Sequence, residues 1–228
     1  MHLFHDALVS FAERWDIKMK KTLGILGDSY STYLGWIPAD YEAWYNDNGN
    51  SCENDMAAVE QTWWWQLCKE ADLELVANCS YSGSPVCNTW YDQADASELS
   101  FIKRMQHELG EGTTSPDIIL VFGGTNDFWA RVPIGSEKYS DWTKEDLKEF
   151  APAFCYMLDY LTKTHVTSKI YNIINDDITG PIRDWMIQIC KHYEIPCILL
   201  ENIEKENGHP NQKGMKQICE QVQVFMKM

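Results

Sequence analysis

From Thr22 onward the chain alternates short apolar runs with longer amphipathic stretches, and few folds other than a layered α/β sheet accommodate that alternation. The strand-like runs are 22–27, 73–78, 117–122, 169–174 and 196–200, each ending in a polar or glycine-rich turn. Consecutive apolar positions suit strands covered on both faces, because right-handed crossovers place helices on both sides of a parallel sheet. The expected fold is therefore a three-layer α/β/α sandwich around a five-stranded parallel sheet. The spacing predicts helices over 59–71, 97–109, 143–163, 180–193 and 211–227, with Thr143 as an N-cap and Glu145 and Asp146 favoured by the dipole in the first turn. One domain over 19–228 suffices for a chain of 228 residues. Residues 1–18 form a leader with Leu3, Phe4, Ala7, Leu8, Phe11 and Trp15 at helical spacing, and Met19 is a second candidate start.

Charge narrows the partners. Against 34 acidic residues stand 19 Lys and Arg, a formal charge of -15, and such a field repels nucleic acid and anionic lipid surfaces. No apolar run approaches the roughly 20 residues of a membrane span, and the N-terminus lacks the parts of a secretory signal, so a cytoplasmic protein without nucleic-acid or membrane partners is expected. The eight cysteines lie scattered, without a CxxC pair or a histidine at ligand spacing, and are read as free thiols; no metal or cofactor is expected.

Ligands of open α/β sheets bind beyond the carboxyl ends of the strands. After the first strand run stand Asp28-Ser29, after the second Ser82-Gly83, after the third Gly123-Gly124-Thr125-Asn126-Asp127, and after the fifth Glu206-Asn207-Gly208-His209. A hydroxyl, an imidazole and hydrogen-bond donors are what acyl transfer requires. Taken singly each has a plainer reading: Ser29 an N-cap, His209 a helix entry beside Pro210, the glycines tight turns, Asn126 an Asx turn. Jointly those readings lose ground.

The strings GDSYS (27–31), NCSYSG (78–83), GGTND (123–127) and ENGHP (206–210) resemble, in order and placement, the four blocks of the SGNH or GDSL-type hydrolases, over roughly residues 22–226. The resemblance implies a flavodoxin-like topology and a serine esterase. It assigns Ser29 as nucleophile, His209 as general base and acid, and the Ser29 and Gly83 amides with the Asn126 side chain as oxyanion hole. The family usually places an aspartate three residues before the histidine; here Glu206 stands there. Either its longer side chain reaches the imidazole, which is the expectation adopted, or it turns away and a backbone carbonyl orients the ring. Asp28 is read as a support for the turn.

Three long segments, 33–58, 84–96 and 129–142, interrupt the alternation and carry many aromatic rings. Loops of that length commonly bind ligands. Trp36, Trp90 and Trp129 are the candidate substrate contacts, and of Trp63, Trp64 and Trp65, on a predicted helix, at least one or two are expected to face the core. Aromatic rings stack on sugar faces, so a small acyl ester of a carbohydrate is the expected substrate. The alternatives are a non-catalytic carbohydrate-binding protein, suggested by Glu206, and a nucleotide- or flavin-binding protein, against which stands the absence of GxGxxG and GxxxxGK[ST]. Metal hydrolysis is weaker still, since the other histidines are dispersed.

Overall fold

The computed structural model describes residues 19–47 and 54–228; the expected leader helix of residues 1–18 lies outside them. Strands β1 (Lys21–Gly27), β2 (Leu73–Asn78), β3 (Ile118–Phe122), β4 (Lys169–Ile174) and β5 (Cys197–Leu199) form a sheet in the order β2-β1-β3-β4-β5. Every neighbouring pair is parallel. The α-helices of the described residues are α1 (Trp63–Glu70), α2 (Phe101–Glu108), α3 (Thr125–Ala130), α4 (Phe150–Thr164), α5 (Gly180–His192) and α6 (Gln212–Met226).

Alternate strand residues sort into two cores. Leu23, Ile25, Ile118, Leu120 and Phe122 pack with α1 and α6, while Leu26, Ile119, Val121, Ile170 and Ile174 pack with α2, α4 and α5. This is the expected three-layer arrangement, and each wholly buried side chain of this size contributes about 1.5–3 kcal/mol. Because β2 lies on one side of β1 and β3 on the other, the strand order reverses at β1, and a crevice opens where β1 and β3 end.

Two departures have local causes. The helix expected over 143–163 is broken, because Pro152 lacks the N–H that Lys148 would receive and its ring would strike that carbonyl. Instead Thr143 Oγ1 accepts from Asp146 N (3.3 Å) ahead of a single 3-10 turn, Asp146–Lys148. Glu149 is then extended, and α4 begins at Phe150 with Pro152 in its first turn, where proline is tolerated. Likewise α1 begins only at Trp63, capped by Thr62, after a 3-10 turn at Val59–Gln61. Two small elements lay beyond the sequence reading: α3 itself, and an antiparallel hairpin of β6 (Lys205–Glu206) and β7 (His209–Pro210).

No helix among the described residues is long and apolar enough to cross a membrane. The described cysteines carry free thiols, most of them buried.

Candidate active site

Ser29 leaves β1 on a one-turn 3-10 helix, Ser29–Ser31, and Asp28 Oδ1 caps that turn by accepting from Tyr30 N (3.1 Å). Asp28 is fully buried, and burial pushes its carboxyl up to about 7. The turn is pinned from behind: the Trp64 indole N–H (3.0 Å) and Asn78 Nδ2 (3.0 Å) both donate to Ser31 O, and Trp63 Nε1 donates to Ser31 Oγ (3.3 Å). Trp63 and Trp64 are thus core residues, as the sequence suggested, and they also fix the backbone of the Ser29 turn. A side chain at Gly27 would come within 2.5 Å of Ser80 Oγ, which is how closely the end of β2 approaches the turn.

His209 arrives on the β6–β7 hairpin. Asn207 and Gly208, between the strands, have φ of 48° and 75°, the left-handed pair that a two-residue type I′ turn requires. The hairpin is tied down by Tyr30 OH donating to Gly208 O (2.6 Å), by Tyr45 OH donating to Pro210 O (2.9 Å), and by Lys205 paired with Asp176 and with Asp177 (2.7 Å) just past β4.

These anchors put His209 Nε2 2.9 Å from Ser29 Oγ and Nδ1 3.1 Å from Asn207 O. A carbonyl can only accept, so Nδ1 carries the ring proton and Nε2 presents its lone pair to the serine hydroxyl. Ser29 is 3% exposed and His209 6%. The imidazole is lowered to about 4, chiefly by burial, with the Asn207 carbonyl opposing the shift and Lys205 adding to it. The ring is neutral at pH 7, which is the state a base needs.

The expectation that Glu206 orients the imidazole is not met in this geometry. Its Oε2 accepts from Asp55 N (3.2 Å) and its Oε1 from Asn211 Nδ2 (3.4 Å), both exposed or half-exposed bonds. In a two-residue hairpin Glu206 and His209 are paired across the strands, and the carbonyl of the turn residue between them reaches Nδ1 first.

Donors gather from the other two strand ends. Asn126, in the first turn of α3, is buried and donates to Ser84 O (3.1 Å), next to Gly83. Its neighbour Asp127 accepts from Val86 N (2.8 Å) and Cys87 N (3.1 Å), so the loop after β3 clamps the loop after β2. Gly123 allows the close packing beneath, since a Cβ there would stand 2.3 Å from the Phe101 ring. Arg104 of α2 reinforces the Gly83 segment, donating to Cys79 O, to Ser84 Oγ (2.6 Å) and to Leu99 O (3.1 Å); burial lowers its guanidinium to about 10. Among the described residues no acceptor is found for the backbone N–H of Ser29 or of Gly83.

Of the candidate aromatic contacts, Trp90 packs at Gly83, 3.5 Å from where a Cβ would be, and Trp129 lies 6.0 Å from the His209 ring. Trp36 goes elsewhere: 42% exposed, it stands edge-on to Trp65 (4.9 Å) at a groove of about 530 Å³ along α1 and β2, whose lining includes neither Ser29 nor His209. Trp44 was one loop aromatic among many in the sequence, yet its indole lies parallel to the His209 ring, centroids 3.5 Å apart and planes 8° apart. No periodicity marks it, because a long irregular loop delivers it. No group of three or more His, Cys, Asp or Glu side chains suited to a metal is found among the described residues.

The profile of the GDSL-like Lipase/Acylhydrolase family matches residues 21–226. A structure from Bacteroides ovatus described as a GDSL-like lipase is 43% identical, with a TM-score of 0.87 over 92% of this chain and 99% of that one. Another of the same description, from Bacteroides uniformis, is 46% identical, with a TM-score of 0.86 over 91% and 96%. An acetyl xylan esterase from the rumen bacterium Butyrivibrio proteoclasticus is 16% identical, with a TM-score of 0.61 over 91% of this chain and 63% of that one, a likeness of fold alone. No curated protein matches the chain.

Proposed function

The chain belongs to the GDSL-like lipase/acylhydrolase family, an ester-hydrolase family, and from that premise we propose that it is a serine esterase acting on acetyl or other short-chain esters of carbohydrates. The observation that carries the reading is the contact of His209 Nε2 with Ser29 Oγ at 2.9 Å, with the opposite ring nitrogen already satisfied by Asn207 O. Ser29 Oγ attacks the acyl carbon as its proton passes to Nε2, and the carbonyl π-bond opens to an oxyanion. The N–H groups of Ser29 and Gly83 and the Asn126 amide receive that oxyanion. The imidazolium then gives its proton to the departing sugar oxygen as the acyl–oxygen bond breaks. In the second half water loses a proton to Nε2, attacks the acyl-enzyme and releases the acid and Ser29.

The near-complete burial of Ser29 and His209 favours a small acyl group, and the Trp90 and Trp129 rings beside them favour a sugar on the alcohol side. The acetyl xylan esterase with the same fold lends that substrate class support. The test is hydrolysis of p-nitrophenyl acetate and of acetylated xylo-oligosaccharides by the native chain, Ser29→Ala, His209→Ala and the double variant. Each single loss should approach the loss of the double, because the two residues act as one unit. Sugar binding without Ser29-dependent turnover would point to the binding protein instead.

A further inference from the structure

We propose that Trp44 is a positioning residue for His209, its indole face stabilising the imidazolium that forms during turnover and so supplying charge compensation that no carboxylate among the described residues provides. The inference rests on the hydrolase reading above. A carboxylate beside a catalytic imidazole does two things: it fixes the ring and it offsets the positive charge the ring acquires. Asn207 O does the first. A neutral carbonyl does little of the second, and the charge that acts on the ring, Lys205, carries the wrong sign, although Asp176 and Asp177 are paired with it. Buried imidazolium therefore needs another source of negative potential.

Trp44 is placed to be that source. The face of an indole is the negative pole of its quadrupole and the strongest such surface among the side chains. Here it lies flat on the imidazole, whereas Tyr30 (5.3 Å), Tyr45 (6.4 Å) and Trp129 (6.0 Å) approach the ring at steep angles. The stack is held rather than incidental: Trp44 N donates to Thr32 Oγ1 (2.8 Å), and that hydroxyl donates to Ser29 O (2.9 Å), so the nucleophile's own turn sets the height of the indole. The indole N–H is buried and has no hydrogen-bond partner among the described residues. An unpaired buried donor is a cost, and the polar edge therefore does not explain why the ring sits there. The face does.

The experiment replaces Trp44 alone, by site-specific incorporation, with mono-, di-, tri- and tetrafluorotryptophan. These hold the shape of the stack while draining the negative face. With p-nitrophenyl acetate, log kcat should fall in proportion to the number of fluorines, reaching a loss of about 30-fold for the last member, and KM should stay within about twofold. In parallel, the NMR titration of the His209 ring should move to lower pH along the same series, a shift that mere packing would not produce. A flat kcat series, a change carried by KM, or an unmoved titration would overturn the proposal. If the native chain shows no Ser29-dependent hydrolysis, the esterase reading fails on its own, and the titration still decides the role of Trp44.

Discussion

Substituting Glu206 by glutamine separates two ways of orienting the His209 ring for the proposed reaction. If the carboxylate were the orienting acid, its loss would lower kcat on the order of 10⁴-fold, because the wrong tautomer would dominate. In this structure the carboxylate reaches Asp55 N and Asn211 Nδ2 instead, and Asn207 O holds the ring. Glutamine preserves the shape and one acceptor oxygen, so at most one partly exposed hydrogen bond is lost, a cost of about 1 kcal/mol or less. For a chain of this length that is a fall in Tm of under about 4 °C. Turnover of p-nitrophenyl acetate should then change less than about threefold, three decades or more from the alternative. The measurement is kcat and KM, with circular dichroism to establish folding and Ser29→Ala as background. A loss beyond a hundredfold in folded Glu206→Gln would refute the reasoning, since it would mean that the carboxylate swings to Nδ1 once substrate is bound.

Three further outcomes are expected. Asn126→Ala should cost about 2–4 kcal/mol in transition-state stabilisation, read as a fall in kcat with KM little changed, because its amide is counted on where charge develops; a mild effect on kcat would remove Asn126 from the oxyanion hole. The acidic limb of the kcat/KM profile should lie near pH 4, since the depressed His209 ring stays neutral, and competent as a base, down to that pH; a limb near 6.5 would contradict it. Asp28→Asn should stabilise the fold at pH 8, because a buried carboxyl raised from 3.8 to about 7 disfavours the folded state once ionised. The gain, at most on the order of 4 kcal/mol, shrinks as pH falls through 7 and vanishes near 4, where both states are protonated; thermal unfolding at several pH values checks it.

The sheet was legible because β1 to β4 are short, largely apolar runs with turns after them, β3 apolar throughout, and a residue's place after a strand told where Ser29, Gly83, Asn126 and His209 would go. The break at Glu149 was also written in the chain, in Pro152, but helical periodicity across 143–163 concealed it. The Asn207-Gly208 pair is a strong hairpin signal, so the turn that carries His209 is written in the chain, whereas the direction of the Glu206 side chain depends on Asp55 and Asn211, which only the fold brings to it. Trp44 is different in kind. Its position depends on Thr32, on the hairpin and on an irregular segment whose path only tertiary contacts decide, so no local pattern could single it out from Trp36, which the fold sends to the groove along α1 and β2.

An acceptor that belongs to the main chain has a property no side chain shares: a point mutation cannot delete it. Replacing Asn207 changes what hangs from the turn but leaves its C=O in place, so the chain can drift at 206 without surrendering the tautomer of His209. The vulnerability moves instead to geometry. A β-branched residue at 207, or anything but glycine at 208, strains the left-handed pair that aims the oxygen. Base strength here is thus inherited through backbone shape, and a folding defect of two residues would register as a chemical one.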